Sequence, residues 1–407
     1  MARSADVAVI GAGIAGLALA VALQERGLST ILLDGRKGFD SSPRGLTLQP
    51  NGLEALDKLG VLDRTRQTGS QASIFEIRSW AGDTLLEADY SMLDHPYNYL
   101  LTVDSAQLDL QLRYRAEKAG AEVVWGARFQ DLLRNDGRVE GIVYEAEGEA
   151  AQITASVIVG ADGPQSHVRG MIGSKTETRE YPDAFIIGLV GPVEGLEGRA
   201  RQYQHPGKML GMMSMGNATY LHHCVGPQSF DEVKKLGLGE FKAEVTEAAP
   251  ELADSLQSVE AWARFAYFMP SWIRVERWVD NGVALLGDSA HTFHPHSGQG
   301  LNLSLQDALV LAEVIENCAK AGDFSAKALG DYQTRRKLYA DVIGHHAHYA
   351  ATYALSQHWL VKWLNRRALK KLRKNQKLLK QALSLTAGVF EKKPGLIARA
   401  RMGGILP

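Results

Sequence analysis

An uncharged run from Val7 to Leu23 is interrupted by glycines at Gly11, Gly13 and Gly16. Few folds accept that pattern. The run is shorter than the roughly 18 apolar residues of a membrane span, and its glycines keep a spacing that a signal peptide has no use for. A buried parallel strand, Asp6 to Ile10, followed by a helix, Ile14 to Arg26, accounts for the whole segment. In such a unit Gly11 permits a tight turn, Gly13 lets backbone approach a pyrophosphate, and Gly16 lets helix and strand pack closely. The helix N-terminus offers free N–H groups and partial positive charge to phosphates. Gly27 stops the helix and Ser29 to Leu33 forms a second strand. Asp34 then stands 23 residues after Gly11, placed to accept hydrogen bonds from an adenosine ribose.

Two later segments extend this reading. The first is Val159-Gly-Ala-Asp162-Gly163, a strand running into an Asp-Gly turn, which alone is common in α/β proteins. The second runs from Ala284 through Gly287-Asp288 and His294-Pro295 to Gly298-Gln-Gly300-Leu301-Asn302. There a strand delivers Asp288 at its carboxyl end, where open α/β sheets bind ligands. A glycine-rich turn then opens a long helix whose N–H groups can stabilise negative charge.

Around these segments the chain alternates strands and helices. Helices are expected over Gly52 to Leu59 and Ala106 to Ala119, and a strand over Glu122 to Trp125. Antiparallel hairpins are expected from Phe129 to Ile153, with turns at Asn135-Asp-Gly137 and Glu147-Gly148, before a buried strand Val157 to Val159. Between about 180 and 275 short β-rich runs (Ala184–Val190, Met209–Met215, Thr219–Val225) surround one helix, Phe230 to Ala249. Val283 to Leu286 returns to buried strand, and from Asn302 the chain is helical almost to its end.

Taken together, the dinucleotide fingerprint, the Asp-Gly motif and the Gly-Asp motif stand in the order found in the single-component flavoprotein aromatic hydroxylases. The chain resembles that family over roughly residues 5 to 320, including para-hydroxybenzoate hydroxylase and the hydroxylases of quinolone- and pyridine-type aromatics. The resemblance implies an α/β fold with a Rossmann-like FAD-binding domain of three-layer β/β/α organisation, an inserted antiparallel β-rich substrate lobe and a helical C-terminus. It divides the chain into an FAD-binding part (1–70, 100–178 and 276–322), a substrate lobe (71–99 and 179–275) and a C-terminal helical region (323–407). It further implies Gly11, Gly13 and Gly16 at the pyrophosphate, Asp34 at the ribose and Arg44 near the FAD phosphates. Asp162 and Gly163 would meet both FAD and the nicotinamide cofactor. Gly287 and Asp288 would meet the ribityl chain, and Pro295, Gly298, Gly300, Leu301 and Asn302 the isoalloxazine. One departure is Ser105, where many relatives carry an arginine that contacts FAD.

The family chemistry begins with flavin reduction by NADH or NADPH. Dioxygen then forms a C4a-hydroperoxide, which transfers oxygen to an electron-rich aromatic ring. No protein nucleophile or metal is required. Pro295 and His294 are the expected residues at the reacting centre, and Tyr203, Met213, Met215 and His222 the expected substrate contacts. In a strand, Tyr220, His222 and Cys224 share one face and Leu221, His223 and Val225 the other, and sequence leaves open which face looks inward. The alternatives are a flavin-dependent reductase or dehydrogenase on the same fold and, from another class, a non-catalytic FAD-fold binding protein.

A formal net charge of −1 gives no global attraction to nucleic acid, and two cysteines, Cys224 and Cys318, fit a reducing cytoplasm. The histidine groups 291/294/296 and 345/346/348 lack partners at metal-ligand spacing. The C-terminal region carries nine cations from Lys362 to Lys380 with no acid among them, beside Trp359, Trp363 and a leucine stripe of Leu364, Leu372, Leu379 and Leu383. The preferred reading is a solvated helix that packs its leucines on the body or on a second copy, in a monomer or homodimer. The alternative is peripheral contact with the inner membrane surface.

Overall fold

A computed structural model describes residues 3–38, 45–226, 230–391, 395, 397, 400 and 402–405. The strand Arg3–Ile10 runs parallel to Thr30–Asp34 on one side and to Glu149–Gly160 on the other. Val7, Ala8 and Val9 lose all solvent contact between these neighbours, which is why the segment is apolar without alternation. Glu122–Trp125 and Val283–Leu285 extend the parallel set outward, and Val279–Asp280 closes one edge. The helix Ile14–Gln24 packs between the helices Ser105–Lys118 and Gly300–Ala321. Its leucines at 17, 19 and 23 are fully buried, each contributing about 2 kcal/mol by area.

The expected hairpins form, with a difference. Asp136-Gly137 and Glu147-Gly148 both hold two successive positive φ angles, the twist that matches paired strands. However, the buried strand expected at Val157 to Val159 is not separate. One 12-residue strand, Glu149–Gly160, pairs antiparallel with Arg138–Ala146 and then parallel with Arg3–Ile10.

A second sheet of nine strands stands beside the first. Its order is Phe265–Phe268, Ala184–Val190, Thr219–Gly226, Lys208–Ser214, Gly198–His205, Ser70–Ser79, Leu100–Asp104 and Gly45–Leu48, with Thr84–Asp89 paired to Ser70–Ser79. Ile186, Tyr203, Leu210, Met212 and Leu221 pack on one side of it with the short helices of 230–257. Ala200, Met213 and Tyr220 lie on the other side, against the C-terminal helices. The single helix expected over Phe230 to Ala249 is two, Phe230–Leu236 and Leu238–Ala248, because Gly237 takes φ 93° and breaks the ladder.

The C-terminus is helical, as expected: Gly300–Ala321, Ala326–Leu355, Trp359–Lys374 and Gln376–Thr386. Asn375 separates the last two, its side chain accepting from Leu378 N at 3.0 Å. Among the described residues no helix is long and apolar enough to cross a membrane.

Candidate cofactor and substrate site

Two of the fingerprint glycines are dictated by backbone proximity. A Cβ on Gly11 (φ 107°) would come 2.2 Å from the Ala161 carbonyl oxygen, and one on Gly16 would come 2.0 Å from that of Gly11. Gly13 differs: nothing lies within 4 Å of its Cβ position, and no side chain caps the helix it precedes. The first N–H groups of that helix are therefore left for a ligand.

Asp34 is braced into this turn. Its Oδ2 accepts the Ala12 N–H at 3.0 Å, and Arg36 donates to both carboxylate oxygens and to the Ala12 carbonyl. Burial pushes the Asp34 carboxyl upward, but the hydrogen bonds and charge of Arg36, with the Ala12 N–H, outweigh it and hold the pKa below the usual range. Arg36, over the Trp125 ring at 5.6 Å, escaped the sequence reading. Its only signal is a position two residues beyond Asp34. Arg44 lies outside the described residues.

The Asp-Gly motif faces inward. Asp162 accepts from Ser166 Oγ, the His167 and Val168 N–H groups and Ser289 Oγ, so four protein donors occupy its carboxylate. Ser289 also accepts the Gly163 N–H at 3.0 Å, and Arg169 donates to the Ser289 carbonyl. The motif thus clamps the loop that carries Asp288.

That loop sits between two helix starts. A Cβ on Gly287 (φ 61°) would lie 2.9 Å from Ser304 Oγ and 3.3 Å from Ala15 Cβ. Asp288 is exposed to solvent, and it makes no hydrogen bond among the described residues. Desolvation pushes its pKa up. Behind it, His291 Nε2 meets Asp307 Oδ2 at 2.6 Å and Arg336 donates to Asp307 Oδ1 at 2.5 Å, a buried triad tying the loop to two helices.

His294 is enclosed, at 1% exposure. Its Nδ1 accepts the His296 N–H at 3.1 Å and its Nε2 faces Asp183 at 3.5 Å, against Tyr181 and Phe185. His294 Nδ1 thus orients the turn Pro295–Ser297, while its buried Nε2 has no hydrogen-bond partner among the described residues. Asn302 is consumed: its Oδ1 accepts the Gln49 N–H and its Nδ2 donates to the Thr47 and Gly298 carbonyls. The helix beginning at Gly300 has no side-chain cap, and nothing lies within 4 Å of the Gly300 Cβ position. Leu301, in its first turn, is half-buried.

The substrate expectations separate by face. His222 lies over Gly211, whose Cβ would come 2.0 Å from the ring, and Thr47 Oγ1 donates to Met213 Sδ at 2.9 Å. Both residues are on the side toward the C-terminal helices. Met215 falls in the turn after its strand. Tyr203 lies on the other face of the sheet. Strand alternation turns it there, where it is 1% exposed and its hydroxyl donates to Glu251. Two residues missed from sequence join His222, namely His296 and His346. Burial lowers the pKa of His222 and His346 to about 4 and that of His296 to about 3, and the rings are near enough for their charges to interact. All three are neutral at ordinary pH. They come from a strand, a loop and a helix, so no sequence spacing announces them.

These residues fit a long dinucleotide. Two uncapped helix starts, a partnerless carboxylate between them and the buried Ser297 Oγ without a partner among the described residues are the groups such a ligand would satisfy. Among those residues no cluster of three His, Cys, Asp or Glu could hold a metal ion.

The fold and site define a flavoprotein oxidoreductase. Residues 4–345 match the family described as the FAD binding domain. The chain is 30% identical to 6-methylpretetramide 4-monooxygenase of Streptomyces rimosus, over 82% of this chain and 80% of that protein. It is 29% identical to the ubiquinone hydroxylase of Rhodospirillum rubrum, over 82% and 78%. The solved p-nitrophenol 4-monooxygenase of Pseudomonas putida superposes with a TM-score of 0.85 at 22% identity, covering 96% of this chain and all of that one. The chain belongs to the FAD-dependent aromatic monooxygenases.

Proposed function

We propose that this enzyme hydroxylates an electron-rich aromatic small molecule, using dioxygen and FAD that is reduced by NADH or NADPH. The observation that carries the reading is Asp288, a carboxylate without a partner among the described residues, held between two uncapped helix starts by the clamped Gly287 loop. Bound FAD would supply the oxygen activation, and the protein supplies position and exclusion of water.

In this reading the helix after Gly11, Gly13 and Gly16 takes the pyrophosphate, Asp34 the ribose and Asp288 the ribityl hydroxyls. The N–H groups of the Gly298–Asn302 turn face the isoalloxazine, with Pro295 fixing the turn's entry and Leu301 packing beside the ring. Asp162 and Gly163 act by holding the loop. The face bearing Met213 and His222, with Met215 near its edge, is the substrate wall. Neutral His222, His296 and His346 exchange hydrogen bonds with ring substituents without adding charge. We assign 1–70, 100–178 and 276–322 to cofactor binding, with Gly45–Leu48 and Leu100–Asp104 shared with the substrate sheet, 71–99 and 179–275 to the substrate lobe, and 323–407 to the helices that cover it. The relatives named for 6-methylpretetramide, ubiquinone and p-nitrophenol support an aromatic substrate class.

The test is turnover of a phenol panel by FAD-loaded protein with NADH or NADPH under isotope-labelled dioxygen. Label in a hydroxylated product is the expected result. Hydrogen peroxide equal to the nicotinamide oxidised, with every aromatic, would favour a reductase instead.

A further inference from the structure

The helix Trp359–Lys374 presents two unlike faces. Inward, Ala368 and Leu369 are buried, and Leu369 and Leu372 pack in one cluster with Met213 and Tyr220 of the nine-stranded sheet. Outward, at 100° per residue, Trp359, Trp363, Arg366, Lys370, Arg373 and Lys374 fall in a sector of about 100°. Trp359 is 70% exposed and Trp363 50%. Indoles this open have no role in the folded core. The four cations make no ion pair or hydrogen bond among the described residues. From residue 342 to residue 390 the sequence contains no acidic side chain that could neutralise them.

We infer that this face is a docking surface for an anionic lipid bilayer, with the helix lying in the membrane plane. Indoles belong at the boundary of headgroup and acyl chain, where an apolar ring with a polar N–H is satisfied on both sides. Cations interleaved with them meet the headgroup phosphates, and each is worth about fivefold in partitioning to an anionic surface. Tryptophan and cation on one face of a surface helix is the combination that lipid rewards. A nucleic acid would use the cations but leave two exposed indoles on an otherwise basic stripe without a matching groove. Docked this way, the helix places Met213 and Tyr220 of the nine-stranded sheet one layer of side chains from the lipid. The inference does not rest on the reaction proposed above, since vesicle binding and turnover are read separately.

The experiment is co-sedimentation of the full-length, FAD-loaded protein with phosphatidylcholine vesicles, with or without phosphatidylglycerol. Wild-type protein should pellet with the anionic vesicles only, and less as salt is raised. The double variant Lys370→Glu/Arg373→Glu should bind at least tenfold more weakly. Trp359→Ser, at the most exposed position, should weaken binding severalfold while flavin content and melting temperature stay unchanged. No pelleting of wild type, equal pelleting of the charge-reversed variant, or retention on duplex DNA without vesicle binding would each overturn it.

Discussion

Ser289 stands between Asp162 and Gly163, donating to the Asp162 carboxylate at 3.0 Å and accepting the Gly163 N–H at 3.0 Å. One hydroxyl thereby joins two glycine motifs separated by more than a hundred residues. Ser289→Ala removes the acceptor of that N–H and one donor to Asp162 in a half-buried site, at a cost of about 1 kcal/mol. A thermal melt should fall, and FAD should be released faster on dilution, read by flavin fluorescence. An unchanged melt would mean the two motifs are held by other contacts.

Asp288 gives effects of opposite sign on stability and on cofactor binding. Burial raises its pKa, with the charge of His291 pulling the other way, so the folded, flavin-free protein holds the charged form less well than the unfolded chain does, and that cost appears as pH rises through the carboxylate range. Asp288→Asn should therefore raise the flavin-free melting temperature at neutral pH, with the gain vanishing under acid. FAD affinity should fall at least tenfold, because a carboxylate acceptor is lost. Titration calorimetry with FAD and paired melts check both.

Asp307 runs the other way. It is buried, and although burial pushes its pKa upward, the charges and hydrogen bonds of Arg336 and His291 hold it below the usual 3.8. It stabilises the fold above the unfolded carboxylate pKa, and that contribution is lost as pH falls through its depressed folded value. Asp307→Asn leaves a buried arginine without its counter-charge, so a loss of about 3–5 kcal/mol is expected in urea unfolding at pH 7. The difference from wild type should shrink in strong acid.

The three neutral histidines set a further pH dependence. His222, His296 and His346 have folded pKa values well below the ordinary 6.5. The unfolded chain binds protons that the fold refuses, so stability drops as pH falls from about 7 toward 4. His346→Gln, which retains a donor for Thr386, should flatten that slope in melts between pH 7 and pH 5.

Gly211→Ala tests the substrate wall. The new methyl would meet His222 Cε1 at 2.0 Å and force the ring into the cleft. Flavin content should be unchanged while kcat/KM for an accepted aromatic falls at least tenfold. Unaltered kinetics would place the substrate elsewhere.

The first strand and helix, the fingerprint glycines and the hairpin turns were legible because each is fixed by neighbours close in sequence. The strand Ser70–Ser79 was not: Glu76 and Arg78 pair with each other, Glu76 also with charges of the distant strand Gly198–His205, and both obscure its apolar pattern. The face that Tyr203 takes was not legible, because its strand mixes polar and apolar residues on both faces and composition could not tell one side from the other. His294 carried a motif but not its orientation, which Asp183 and the His296 N–H decide. The continuous helix expected from Phe230 failed on a single glycine at 237.

Gln299 Nε2 donates to the Thr386 carbonyl at 2.6 Å, and the Asn51 N–H reaches the Ala387 carbonyl at 3.4 Å. The turn assigned to the flavin ring is thus pinned by residues made nearly ninety positions later. On the ribosome, the nucleotide end of the site can form early, but the end facing the ring stays unfinished until that segment has emerged. With that turn facing the ring as proposed, a chain truncated before residue 386 would carry the glycine motifs yet hold its cofactor loosely.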